Sequence, residues 1–190
     1  MKRLFVSIVT LTAAMLCAFA QSSEKVLYYG VDFSDVKVIS ASETEADFAG
    51  AFEGINNLMV DEADKYDFSR AIGMPVVPCL EYMIRQTRLN DYSDMKVYNL
   101  IENDIDPEEK VKSYELKETS GLGLVVIAEV LNKPTTMATY KLVLFDIETR
   151  EIKECREFTT EARGFGLRNY WAHTVYKITR IRNVFAGDKD

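Results

Sequence analysis

From residue 25 onward the chain switches between stretches of period two and stretches of helical period. "KVLYYGVDFSDVKVI" (25–39) sets Val31 and Phe33 against Asp32 and Ser34, the alternation of a strand with a Gly or a bulge in it. "SETE" (42–45) is a capping-box pattern with Ser42 as the cap and Glu45 reaching back. Beyond it Phe48, Phe52, Ile55 and Met59, with Ala51 and Leu58 beside them, form the apolar face of a helix over 43–60. Gly50 and Gly54 weaken that helix but let a neighbour come close. Pro75 and Pro78 forbid a continuous helix through 65–78. A helix opening on Pro78 places Leu80, Met83, Ile84 and Thr87 on one side, and "MKVYNLI" (95–101) reads as a short strand. Asp106 as cap, Pro107 at the first helical position and acids in the first turn make a short helix of 106–116.

The C-terminal half carries three β-rich runs, 123–133, 136–151 and 152–162, joined by short polar connections that predict an antiparallel meander. Leu124 to Ile127 is continuously apolar, as in an interior strand. Leu167, Tyr170, Trp171, Thr174, Val175, Ile178, Ile181 and Phe185 then share one helical face over 167–185, with Asn169 as its expected cap. Trp171 is its core anchor, and His173 falls about 200° round the helix from it, on the polar face with Tyr176 and Arg180. The expected fold is therefore α+β: a single domain with a mixed, mainly antiparallel sheet and helices packed on one face.

The first residues stand apart from this pattern. Lys2 and Arg3 precede an uncharged run from Leu4 to Ala20 that ends Ala18-Phe19-Ala20, the layout of a secretory signal peptide over residues 1–20. Cys17 would suit a lipid anchor only with a small residue before it, and Leu16 is bulky, so the expected mature chain starts at Gln21 and forms one domain, 21–190. No second apolar run long enough for a membrane span follows. The expected location is thus periplasmic or secreted.

Charge narrows the function further. Without Lys2 and Arg3 the 23 basic residues fall to 21 against 30 acids, a net charge of −9. That balance argues against nucleic acid, whose phosphates need a basic stripe, and against an anionic membrane surface. Cys79 and Cys155 are the two cysteines of the mature chain; a pair so far apart is no disulfide framework, though a bridge and two separate buried thiols both remain open.

The chemistry is sparse. One His cannot build a Cys/His zinc site, no CxxC occurs, and no G-x-S-x-G elbow serves a triad around His173. Gly164-Phe165-Gly166 before a helix, with Arg168 nearby, is half of an anion cradle, but Asn169 stands where a dinucleotide fingerprint needs a third Gly. Gly121-Leu122-Gly123 fails in the same way at Val126, and chain reversal accounts for both pairs. Asp61, Glu62 and Asp64, like Asp104 to Glu109, read as solvated acids, and "NDIDPEE" lacks the Gly and closing Glu of a calcium loop. The candidate ligand-binding residues are Arg168, Asn169 and His173; no catalytic residue, cofactor or metal is implied.

"YKLVLFDIETREI" (140–152), a polar strand and then "GFGLRNYW" together resemble a pattern in uncharacterised exported proteins of gut anaerobes. The hairpin is also similar to one in the TolB amino-terminal domain and the curli-secretion lipoproteins. The resemblance spans at most Gly121 to Phe185, and the lipid-anchoring Cys of the curli lipoproteins is missing. It implies helices on one side of a mixed sheet and a role in binding or assembly, with no catalytic residues. The expectation is an exported, non-catalytic module that binds an envelope protein or an extracellular polymer. The surplus of acids keeps a carboxylate-dependent, glycosidase-like hydrolase as the alternative.

Overall fold

The structure is a computed structural model that describes residues 25–99 and 102–186; the leader, Cys17 and Gln21 lie outside them. In chain order its elements are β1 (Val26–Asp32), β2 (Lys37–Ile39), α1 (Glu45–Asp61), α2 (Ser69–Ile72), β3 (Val76–Pro78) and α3 (Glu81–Leu89). Then come β4 (Lys96–Val97), α4 (Pro107–Lys112), β5 (Leu122–Asn132), β6 (Met137–Asp146), β7 (Ile152–Glu161) and α5 (Leu167–Thr179).

The 11-residue β5 is the axis of the sheet. Along one side of it β1 and β2 lie in tandem, both parallel to it, with Val26 beside Leu122 and Lys37 beside Val130. β3 extends the sheet outside β1 and β4 outside β2, again in parallel. On the other side β6 and then β7 follow antiparallel, as the short connections predict. Four of the six pairings are thus parallel, which overturns the expectation of a mainly antiparallel sheet. Loop length reveals hairpins; it is silent about strands that meet only after long crossovers. β1 carried the signal in its own residues, because all but one of its seven positions are buried, the mark of a strand covered on both faces.

Helices cover both faces, a second correction. On the first, Tyr28, Leu124, Val126, Tyr140 and Leu142 meet Phe48, Phe52 and Ile55 of α1 and Trp171, Val175 and Ile178 of α5. On the second, Tyr29, Val125, Ile127, Val143 and Phe145 meet Met83, Val111 of α4 and Tyr114 just after it. α1 begins two residues later than expected. Thr44, not Ser42, is the cap, accepting from the Asp47 N–H at 3.2 Å while Asp47 accepts from the Thr44 N–H at 2.9 Å. α4 has the Asp106 cap and leading Pro107 that the sequence predicts.

β1 is interrupted where its register against β5 shifts, between Tyr28 and Val31. Asn56 of α1, fully buried, fills the gap: its Oδ1 accepts from the Val31 N–H at 2.8 Å and its Nδ2 donates to the Val31 carbonyl at 2.9 Å. Gly30 makes room, with φ of +104° and a position where a Cβ would sit 2.6 Å from Asn56 Oδ1. Gly123 has a related role: a Cβ there would lie 2.4 Å from the Phe145 ring, so this glycine serves packing inside β5 and not chain reversal.

Candidate functional site

α4 shields only part of the second sheet face. Past Ile127 and Val143 that face turns polar, and the chain at 102–104 walls an open cavity of about 500 Å3 over β5, β6 and β7. Its lining includes Glu102, Asp104, Glu129 and Glu157, the hydroxyls of Thr135, Thr139 and Thr159, and Met137. Strand alternation aligns these groups. Lys141 stands opposite Glu157, and Thr139 opposite Thr159, whose hydroxyls are 3.2 Å apart.

At the floor a buried ion pair joins two strands. Glu129, 3 % exposed, receives Lys141 Nζ at 3.0 Å and the Ile105 N–H at 3.3 Å on the same oxygen. Lys141 also donates to the Ile105 carbonyl at 2.8 Å and to the Asp104 carboxylate. Burial alone would lower the Lys141 ammonium; its bonds to Asp104 and Glu129 outweigh that and hold it above the usual lysine value. Asn103 ties the same segment down, donating to the Glu129 carbonyl at 2.8 Å and the Asp35 carbonyl at 2.9 Å. The pair therefore fixes the cavity wall to the sheet.

A second cavity, about 560 Å3, lies beside α3 and is lined by Cys79, Tyr82, Ile84, Arg85, Lys117 and Glu118 among others. Glu118 accepts from Tyr29 Oη at 3.1 Å and from Cys79 Sγ at 3.5 Å. Burial, with the Glu118 charge beside it, pushes the Cys79 thiol up to about 11, so it stays protonated and unreactive at neutral pH. At the end of β1, Asp32 accepts from Tyr114 Oη at 2.7 Å and lies 3.9 Å from Lys110, which also pairs with Asp35. That trio joins α4 to the sheet.

The sequence-predicted binding residues sit elsewhere, at the start of α5 on the opposite face. Arg168 and Asn169 are exposed, and Arg168 Nε donates to Asn169 Oδ1 at 3.1 Å. The Arg168 stem lies across Gly54 of α1, where a Cβ would be 2.8 Å from its Cδ. Asn169 is not the cap; Gly166 holds that position without a side-chain bond. His173 is half-buried, its Nδ1 3.3 Å from the Glu161 carbonyl and its ring 6.1 Å from that of Tyr176. Phe165, between the two glycines, is 97 % exposed. Trp171 is fully buried, as expected, and α5 ends at Thr179, short of Phe185.

Glu129 and Lys141 escaped the sequence reading. Their signal was a single charge in each of two apolar strands, "IAEVL" and "TYKLV", of opposite sign. Cys79 and Cys155 are both free, one beside Glu118 and the other exposed on β7. Among the described residues no cluster of three or more His, Cys, Asp or Glu side chains is arranged to hold a metal ion, and no helix is long and apolar enough to cross a membrane.

No family model matches the chain, and no curated protein is similar to it. Among solved structures, the C-terminal domain of LpoB from Salmonella enterica aligns at 14 % identity over 77 % of this chain and 90 % of that one, with a TM-score of 0.29, a likeness too slight to argue from.

Proposed function

We propose that the protein is an exported, non-catalytic binding module of the cell envelope, with the cavity over β5–β7 as its ligand site. The observation that carries this reading is the cavity's composition. Among the described residues its lining holds four carboxylates, three threonine hydroxyls and no basic side chain, with Lys141 beneath them already engaged by Glu129 and Asp104. Such a surface favours a cationic, hydrogen-bonding segment, as a basic stretch of an envelope protein would provide. Two of the groups that could do chemistry are committed to structure: Glu129 holds Lys141, and the Cys79 thiol is protonated. The N-terminal pattern of residues 1–20 supports export.

The test is capture of partners from the organism's own envelope fraction with tagged protein, repeated with Glu102→Lys, an exposed change at the cavity wall. Loss of a captured basic partner in the variant supports the site. Metal-independent glycoside turnover that disappears when one cavity acid is changed to Ala, in a folded protein, would overturn it.

A further inference from the structure

Among the described residues β7 is the outermost strand on its side of the sheet, pairing only with β6, and it is ten residues long. The Ala162 N–H donates to the Thr136 carbonyl at 2.7 Å, and the ladder continues with Thr160 opposite Ala138, Phe158 opposite Tyr140 and Arg156 opposite Leu142. Even-numbered residues therefore direct their backbone groups to β6. By alternation, Cys155, Glu157 and Thr159 direct theirs outward, a row of donors and acceptors without backbone partners among the described residues.

We propose that this edge pairs with the same edge of a second copy, antiparallel, about a two-fold axis through Cys155. Charge register selects this pairing. In a two-fold pairing of identical strands, outward residues must face outward residues, so the axis passes through one residue. An axis through Glu154 or Glu157 sets that Glu against itself, and one through Arg156 sets Arg against Arg. An axis through Phe158 matches no charges. Through Cys155, the stretch Lys153-Glu154-Cys155-Arg156-Glu157 becomes its own complement: Glu154 faces Arg156 of the second copy and Lys153 faces its Glu157, each pair occurring twice. All five residues from Lys153 to Glu157 are exposed. The bulge beside Glu154, where the β6 partner shifts from Leu144 to Phe145, leaves Lys153 outside the regular ladder with its Nζ 2.7 Å from Glu151, so the two Glu154–Arg156 pairs carry the match.

The axis brings the two Cys155 residues face to face. Facing residues of this kind have Cα atoms about 5.5 Å apart, within the reach of a disulfide. A disulfide-form oxidant completes the bond: the two thiols give up two protons and two electrons, one S–S bond forms, and the oxidant's own disulfide is reduced to two thiols. Pairing precedes and does not require that step.

The test uses the purified protein and its single variants Glu154→Arg and Arg156→Glu in sedimentation under reducing conditions. Wild type forms a concentration-dependent dimer. Each variant alone puts like charges together and weakens the dimer by roughly tenfold or more. Mixed one to one, the variants make a heterodimer in which every pair is again opposite. With oxidised glutathione, wild type and Cys79→Ser give a covalent dimer and Cys155→Ser does not. A monomeric wild type, variants that self-associate like wild type, or a mixture that forms no heterodimer would overturn the proposal.

Discussion

At the residue scale the telling side chains are polar groups inside the core. Lys141→Met removes the counter-charge from Glu129, which has 3 % of its surface exposed, and leaves a buried carboxylate unpaired. The expected loss is about 3–5 kcal/mol in urea melts, largely recovered when Glu129→Leu is added, because an apolar pair of similar size is nearly neutral. Asn56→Ala strips both backbone groups of Val31 of their partners and should cost about 2–4 kcal/mol. Cys79 gives a pH signature. Its folded value of about 11 lies above the ordinary thiol near 8.5, so deprotonation favours the unfolded chain. The contribution is fully present below about pH 8.5 and is lost as pH rises toward 11; Cys79→Ser should flatten that part of the stability curve. Alkylation of Cys79 at pH 8 should likewise run about two orders of magnitude slower than at a free thiol. None of these roles is written in local pattern, since Asn56 and Glu129 acquire theirs only from strands distant in sequence.

At the element scale, amphipathic helices and short hairpins were legible because their signals are local. The α1 face of Phe48, Phe52, Ile55 and Met59, the Asp106-Pro107 start of α4 and the two hairpins of the β5–β7 meander all follow from neighbours a few residues apart. Ends were less legible. Thr44 competes with Ser42 for the same cap, and the helix after Gly166 stops at Thr179 although apolar spacing runs on to Phe185. α5 hangs on Trp171, fully buried and in edge contact with Tyr170 at 4.9 Å. Trp171→Ala should destabilise by about 3–5 kcal/mol. Its buried Nε1 has no hydrogen-bond partner among the described residues, so Trp171→Phe gives back a desolvated donor and should cost markedly less.

At the scale of the whole molecule, the partners of the parallel strands were illegible. Nothing in residues 25–39 names residues 122–132 as their neighbours, and the tandem placement of β1 and β2 along one strand depends on the turn between them. The candidate cavity was illegible for the same reason, being assembled from 102–104 and three strands that only the complete sheet brings together. Export remains a whole-chain proposal: intact-mass measurement of the protein released from its cells should give a chain starting at Gln21, and a diacylated species starting at Cys17 would contradict it.

The central position of β5 also sets a timetable. A chain emerging N-terminus first presents β1, β2 and their helices long before Leu122 to Asn132 exist to receive them. Until then Tyr28, Val31, Phe52 and Ile55 have only the short β1–β3 and β2–β4 pairings to close upon, and the nascent half waits in an open, chaperone-accessible form. Once β5 arrives, its local partners β6 and β7 follow at once through short turns, so assembly of the two halves is concentrated at the end of synthesis. For a polypeptide threaded across a membrane this delay is an asset, because the leading half reaches the far side still unfolded.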